Sequence, residues 1–199
     1  MFKRLPFLAP AALSLVFTAP RLAAADFVTF PMVVSAGAKV CLPNATATVT
    51  IRPIGPVEMD VAVKGLPPNT EFDFVVIQIP IAPFGISWYQ GDIATDKNGR
   101  GHQIFIGRFS IETFSVAPGS AQAPIVFDNG PFPNADRNPP FNPIQMYHLG
   151  LWFGSPDAAR AAGCPDSVTP FNGEHNAGIQ VLNTNNFPAD HGPLRNVTP

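Results

Sequence analysis

The chain has 199 residues, of which 46% are hydrophobic and only 13% charged, and its formal net charge is −2. This length fits one domain with a substantial core, and weak acidity without a basic cluster argues against nucleic acid or an anionic surface as a partner. The 16 glycines, 24 prolines and 17 phenylalanines are typical of short strands joined by proline-stiffened loops rather than of a disordered chain.

The first 25 residues have the layout of a secretory signal peptide. Lys3 and Arg4 precede the mostly apolar residues 7–19, and small residues stand before a predicted cleavage at Asp26. The apolar run is too short to span a bilayer, and no later stretch has about 18 uninterrupted apolar residues. Cleavage would leave 9 basic and 14 acidic residues. We therefore expect a secreted mature chain without a membrane span, in the periplasm or outside the cell.

Two cysteines remain after cleavage, Cys41 and Cys164. In an oxidising compartment an even number of cysteines most simply forms a disulfide. A redox or metal-binding thiol is the alternative, but neither cysteine belongs to a CxxC motif or has a histidine close in sequence. The sequence therefore predicts a structural disulfide between Cys41 and Cys164.

The clearest strand pair lies at residues 46–52 and 57–64. Hydrophobic and polar residues alternate in TATVTIR and again in VEMDVAVK, with the turn PIGP between them. This period of two on both sides of a turn predicts an antiparallel hairpin with one buried face. The almost continuously apolar FDFVVIQI at 72–79 predicts a strand covered on both faces.

A second hairpin is predicted where ISWYQGDIAT and GHQIFIGRF flank DKNGR, because Asn-Gly is a strong hairpin signal. Asp96 and Asn98 also invite a calcium interpretation. An EF-hand loop, however, needs further oxygen ligands and a final glutamate, so the turn interpretation is preferred. Further strands are expected at 110–116, 124–128, 145–153 and 177–183.

Residues 117–144 contain seven prolines and predict a long irregular loop. Helix is nearly absent from the remaining pattern. One short helix is expected near 156–162, because Ser155 suits an N-cap, Pro156 the first helical position and Gly163 the C-terminal stop.

Short strands separated by turn signals predict one all-β domain over residues 26–199. The expected architecture is a two-sheet antiparallel β-sandwich, immunoglobulin-like or jelly-roll in topology, with a closed barrel as the alternative. The strings GLPPNTEFDFVVIQIPIAPFGISWYQGDIATDKNGRG, YHLGLWF and TPFNGEHNAGIQVLNT resemble a group of secreted bacterial β-sandwich proteins of unassigned function. That resemblance covers most of the mature chain. It implies secretion and the β-sandwich fold, but no activity, cofactor or catalytic residue.

Glu174 and His175 stand together in the stretch FNGEHNAGIQVLNT. A carboxylate beside an imidazole can serve a metal site, whereas the same residues also suit a polar turn before a strand. Adjacent side chains of a strand point to opposite faces, so the two can converge only in a turn. A metal-dependent hydrolase or oxidoreductase using His148, His175 and Glu174 is the alternative function. Because the four histidines lack HxH, HxxxH or HExxH spacing, no metal, cofactor or catalytic residue is predicted.

Aromatic residues provide the remaining binding signal. Trp88 and Tyr89 are adjacent, so one of them should face outward from a strand, and Trp152 raises the same expectation. Exposed aromatic side chains of extracellular modules stack on sugars or peptides. The sequence therefore predicts a non-enzymatic binding or structural module that acts at the cell envelope or outside the cell. Its predicted ligand-binding residues are Trp88, Tyr89 and Trp152, and its expected partner is a glycan, a surface or a protein.

Overall fold

The computed structural model describes residues 27–53, 57–116, 143–171 and 175–198. Glu174 and the signal peptide predicted over residues 1–25 lie outside these ranges. The loop predicted over residues 117–144 also lies outside them, apart from its last two residues, which begin a strand. The strand predicted at 124–128 falls in the same undescribed stretch.

The described residues form twelve strands, one α-helix and two short 3-10 helices. In chain order the strands are β1 (Val28–Val34), β2 (Thr46–Arg52), β3 (Val57–Lys64), β4 (Glu71–Ile77), β5 (Ser87–Ala94), β6 (Gly101–Gly107), β7 (Phe114–Val116), β8 (Pro143–Gln145), β9 (His148–Phe153), β10 (Thr169–Pro170), β11 (Asn176–Ala177) and β12 (Gln180–Asn183). The helix α1 spans Pro156–Ala161, and the 3-10 helices span Ala36–Ala38 and Pro193–Asn196.

Eight of the described strands form one antiparallel sheet in the order β5-β4-β9-β12-β1-β2-β3-β6. β1 joins the two halves of this sheet, because its residues 28–32 pair with β2 whereas Val33 and Val34 pair with β12. On the opposite side a bridge between Thr95 and Gly101 brings β5 and β6 together, so the sheet is nearly barrel-shaped. The predicted all-β antiparallel class is confirmed. The division into two separate sheets, which a sandwich requires, is not confirmed.

The predicted hairpin at residues 46–64 is confirmed as β2 and β3, which pair from Thr46–Lys64 to Arg52–Glu58. Its alternating hydrophobic side chains are buried and belong to Ala47, Val49, Ile51, Met59, Val61 and Val63. One face of the hairpin therefore contributes to the core, as the period of two requires.

β4 and β9 pair along their whole lengths in the middle of one half of the sheet. Their inner face carries Phe72, Phe74, Val76, Leu149, Leu151 and Phe153, all in the main core. Their outer face carries, opposite one another, Asp73 and Trp152, Val75 and Gly150, and Ile77 and His148. A second hydrophobic cluster covers this outer face, with Phe84 and Phe171 packed against it. Burial on both faces is thus confirmed for Phe72 to Ile77, whereas Gln78 and Ile79 follow the strand and are half-buried.

The Asn-Gly turn forms as predicted, but the strands that it joins diverge. Asp96 Oδ1 accepts hydrogen bonds from the backbone N–H groups of Asn98 and Arg100, at 2.8 and 3.0 Å. Beyond the Thr95–Gly101 bridge, however, β5 pairs with β4 and β6 pairs with β3. The turn therefore connects the two halves of the sheet instead of closing a simple hairpin.

The short helix and the disulfide are both confirmed. The Ser155 side chain accepts a hydrogen bond from Ala158 N at 3.1 Å as the N-cap of α1, and Gly163 follows the helix with a φ of 74°. Cys41 and Cys164 are bonded across a separation of 123 residues. Of the described helices, none is long and apolar enough to cross a membrane.

Candidate functional site

A cleft of about 280 Å3 opens on the outer face of β9 and β12. Trp152 and Gln180, which lie opposite each other in the pairing of these strands, both line it. The remaining sides come from residues 35–37 after β1, 81–84 after β4 and 167–169 before and within β10. The described residues of the lining are all uncharged, and they are Ser35, Ala36, Gly37, Ile81, Ala82, Phe84, Trp152, Ser167, Thr169, Ile179, Gln180 and Asn183. We refer to this feature as the Trp152 cleft.

A glycine places the indole of Trp152 against the sheet. A Cβ atom added to Gly150 would lie 2.3 and 2.6 Å from Cζ3 and Cη2 of the ring, so only glycine leaves room for the indole over that residue. Phe84 packs edge-on against the same ring, with centroids 5.1 Å apart at 82°. Trp152 is 3% exposed and is therefore held from two sides.

Trp152 contributes a buried polar group that lacks a partner among the described residues. Within the described residues, Nε1 of Trp152 is buried and has no hydrogen-bond partner. The neighbouring amides, by contrast, are paired. Gln180 donates to Pro80 O at 3.2 Å and accepts from Asn183 Nδ2 at 2.9 Å. A buried indole N–H normally finds a partner, so Trp152 leaves one donor unpaired among the described residues, and this residue lines the cleft.

Asp73 and His175 form a second polar feature on the same face. Asp73 Oδ2 lies 3.2 Å from His175 Nε2; the carboxylate residue is 1% exposed, whereas the His175 side chain is 40% exposed. The Phe171 ring packs against the imidazole at 5.1 Å between centroids. Because His175 directly precedes β11 and Asp73 belongs to β4, the pair ties the small β10–β11 sheet to the main sheet.

Burial raises the pKa of the Asp73 carboxyl above its usual 3.8. The hydrogen bond and charge of His175 act in the opposite direction, while the carboxylates of Asp92 and Glu71 add to the rise. The imidazole is therefore the group that stabilises an ionised Asp73. A carboxylate that orients an imidazole occurs in catalytic triads. Here, among the described residues, the hydrogen-bond partner of the imidazole is Asp73, and no described hydroxyl or thiol is bonded to the ring.

Tyr89 lies near this pair. A shift in the β4–β5 register allows its hydroxyl to donate a hydrogen bond to Asp92 Oδ1, and Asp92 lies opposite Asp73. The Tyr89 ring packs edge-on against Phe171, with centroids 5.4 Å apart. Burial, together with the bond to Asp92, raises the pKa of the Tyr89 hydroxyl.

The three predicted ligand-binding residues do not share one surface. Tyr89 lies opposite Val75 and thus on the outer face with Trp152. Trp88 lies opposite Val76, whose side chain belongs to the inner core, and its Nε1 donates to Gln90 Oε1 at 3.2 Å. Trp88 and Tyr89 are 37% and 39% exposed, whereas Trp152 is buried beside a cleft.

His148 uses both ring nitrogens inside the fold. Its Nε2 lies 3.2 and 3.1 Å from the carbonyl oxygens of Pro188 and Ala189. Carbonyl oxygens only accept, so Nε2 carries the hydrogen and Nδ1 accepts from Thr184 Oγ1 at 2.9 Å. Burial lowers the pKa of His148 below its usual 6.5. The ring is thus a neutral, paired component of the core.

The other histidines have local carboxylate partners. His102 Nε2 lies 2.8 Å from Asp60, and His191 Nδ1 lies 3.2 Å from its neighbour Asp190. In the part of the chain that the structure describes, no group of three or more His, Cys, Asp or Glu residues could hold a metal ion. Glu174, the third member of the predicted metal set, lies outside the described residues.

Several residues of this face were not predicted from the sequence. The importance of Asp73 could have been predicted, because it is the only charged residue within FDFVVIQI and a buried charge requires a partner. Phe84 and Phe171 carried no such signal, since each is one of 17 phenylalanines and its neighbours come from distant parts of the chain.

Comparisons with protein-family models, with curated proteins and with solved structures found no match. Function is therefore argued from the chemistry of the site, because a fold alone does not imply an activity.

Proposed function

We propose that the protein is a secreted, non-catalytic binding module that takes a ring of a neutral glycan into the Trp152 cleft. The observation that carries the proposal is the buried indole N–H of Trp152, which has no partner among the described residues and belongs to a residue lining a cleft whose described side chains are uncharged. A sugar ring supplies what this cleft lacks. Its hydroxyl and ring oxygens accept hydrogen bonds, and its C–H faces pack against aromatic and aliphatic walls.

The volume and the uncharged lining of the cleft limit further which ligands it can accept. A volume of about 280 Å3 lies just below the range of roughly 300–1,000 Å3 typical of small-molecule sites, so the cleft suits one ring rather than a long chain. An acidic or basic sugar would bury its charge among uncharged side chains, which is unfavourable without a partner. The exposed Ile81 at the edge of the cleft offers an apolar contact for the next ring.

Two features support the secreted location within this proposal. Residues 1–25 have the signal-peptide pattern, and the Cys41–Cys164 disulfide is of the kind that persists in oxidising compartments. If secretion is correct, fractionation of cells that express the full chain will yield a product beginning at Asp26 outside the cytoplasm. A product that retains residues 1–25 in the cytoplasm would contradict this part of the proposal.

The metal-dependent alternative gains no support from the described residues. His148 already uses both ring nitrogens in hydrogen bonds within the fold. The Asp73–His175 pair is better explained as a polar clamp that holds the small sheet beside the cleft.

The binding experiment uses the fact that the chain has two tryptophans. In a Trp88→Phe variant of the mature protein, Trp152 is the only indole, and neutral mono- and oligosaccharides are titrated while its emission is followed. We expect a saturable change for at least one neutral saccharide. Isothermal calorimetry then compares Trp152→Phe, which keeps an aromatic ring but removes the N–H, with Trp88→Phe as the matched control.

Loss of one hydrogen bond of about 1.4 kcal/mol corresponds to roughly tenfold weaker binding. We expect this loss in Trp152→Phe and unchanged affinity in Trp88→Phe. Equal affinities in the two variants, or the absence of any saturable response to neutral saccharides, would overturn the proposed function.

A further inference from the structure

A second cavity is lined in part by the two residues that directly follow β4. It has a volume of about 210 Å3 and is lined by Gln78, Ile79, Gln145, Tyr147, Ala189 and Asp190. Gln145 and Tyr147 are buried whereas Ala189 and Asp190 are exposed, so the first two lie deep and the last two lie at the opening. None of these residues lines the Trp152 cleft.

The side-chain amide of Gln145 is unsatisfied. Gln145 ends β8, opposite Phe114 of β7, and is 3% exposed. Within the described ranges, neither its Oε1 nor its Nε2 has a hydrogen-bond partner. Burying both a free donor and a free acceptor is unfavourable, and such groups in native proteins usually meet a bound molecule or ordered water.

Two other polar groups of the lining residues have partners. The Tyr147 hydroxyl donates to Ile111 O at 3.0 Å, and Gln78 Oε1 accepts from the backbone N–H of Ile86 at 3.1 Å. Gln145 therefore carries an unpaired donor and an unpaired acceptor on a side chain that lines the cavity. The group that complements a primary amide is another amide, since its carbonyl accepts from Nε2 while its N–H donates to Oε1.

The charge at the opening and the volume of the cavity limit which amides can bind. Asp190 stands at the opening, and a hydrogen bond from His191 lowers the pKa of its carboxyl, so a carboxylate analogue meets repulsion there. An engineered apolar cavity of about 150 Å3 holds benzene, and the larger volume here leaves room for a carboxamide on such a ring. Ile79 and the Tyr147 ring supply apolar contacts.

We propose that this cavity is a binding site for a small neutral carboxamide of single-ring size, recognised by the side-chain amide of Gln145. It is a separate site from the Trp152 cleft and does not depend on the glycan proposal. Ile79 and Tyr147 hold the ring, and Asp190 at the opening excludes anionic analogues.

The test titrates the mature protein with three probes of similar shape: benzamide, acetophenone and benzoate. Benzamide offers both a donor and an acceptor, acetophenone only an acceptor, and benzoate a negative charge. NMR follows the side-chain amide resonance of Gln145, which is identified by its absence in Gln145→Leu. We expect saturable shifts with benzamide and, for acetophenone, affinity weaker by about tenfold for the lost hydrogen bond. Benzoate should bind more weakly than either.

Two variants and one control complete the design. Gln145→Leu removes the amide and should lose benzamide binding, whereas Gln103→Leu alters an exposed glutamine on β6 and should retain it. Ala189→Phe changes an exposed residue at the opening and should block the cavity even if Gln145→Leu fails to fold. Unshifted Gln145 resonances, or equal affinities for benzamide and acetophenone, would overturn the proposal and leave water as the occupant. Undiminished benzamide binding to a folded Gln145→Leu, or to Ala189→Phe, would overturn it as well.

Discussion

Gly150 provides a direct test of how the Trp152 cleft is built. An alanine Cβ at this position would lie 2.3 and 2.6 Å from two indole atoms and 3.0 Å from Gln180 Nε2. These separations are far below a carbon–carbon contact of about 3.5–4.0 Å. The side chains must therefore move, and the ring is also packed against Phe84, with centroids 5.1 Å apart.

The expected cost follows from the tight packing of this layer. Gly150→Ala adds a single methyl group to a fully buried strand, and such overpacking typically costs about 1–3 kcal/mol. Within a strand, alanine would otherwise be favoured over glycine by roughly 0.5–1 kcal/mol because the unfolded chain loses less entropy. A measured loss of stability thus reports the clash with the indole rather than an intrinsic preference.

A double-mutant cycle isolates that clash. Urea unfolding followed by circular dichroism is measured for the wild type, Gly150→Ala, Trp152→Leu and the double variant. Trp152→Leu removes both clashing ring atoms, so Gly150→Ala should be neutral or stabilising in that background. The expected coupling lies within the range of about 0.5–3 kcal/mol seen for residues in contact. If Gly150→Ala lowers the free energy of unfolding equally in both backgrounds, the claim that glycine is needed here to make room for the indole is refuted.

Three further predictions concern stability. Removing the disulfide by Cys41→Ala/Cys164→Ala opens a loop of 123 residues and should cost about 5 kcal/mol by the chain-entropy estimate; a urea midpoint equal to that of the wild type would contradict it. Burial lowers the pKa of His148 below 6.5. The contribution of the neutral imidazole to the free energy of unfolding is therefore complete above pH 6.5, and it is lost as the pH falls towards the lower pKa of the folded state. His148→Gln should therefore lose less stability than the wild type between pH 7.5 and 5, and parallel losses would argue against this assignment. Burial raises the pKa of Asp73 above 3.8, so its protonated form stabilises the fold at low pH and this contribution is lost as the pH rises. Asp73→Asn keeps an oxygen for His175 but does not titrate. The free energy of unfolding of this variant should therefore rise relative to that of the wild type between pH 3.5 and 7. If the difference between the two proteins stays constant over this range, the assignment of a titrating, buried Asp73 is wrong.

Local patterns were sufficient for the individual elements. The alternation in residues 46–64 predicted the β2–β3 hairpin, and Ser155, Pro156 and Gly163 predicted both ends of α1, because each signal acts within a few residues of the chain. The disulfide was predictable for another reason: two cysteines in an oxidising compartment have only each other as partners. The Asn-Gly turn was predicted correctly, but not the divergence of β5 and β6 beyond it, since their pairing depends on distant strands.

The site itself was decided by the tertiary structure. Of the predicted binding residues, Trp152 and Tyr89 lie on one face and Trp88 on the other, because strand register determines the direction of every side chain. Asp73 meets His175 across 102 residues, and Gln180 meets Pro80 across 100. Short-range periodicity and turn residues can be read directly from a sequence, and they determined the class of fold and its turns. The two cysteines determined the disulfide. Whether a donor of the described residues, such as that of Trp152 or Gln145, remains unpaired depends on every partner that the folded chain brings close. Only the packed structure specifies those partners.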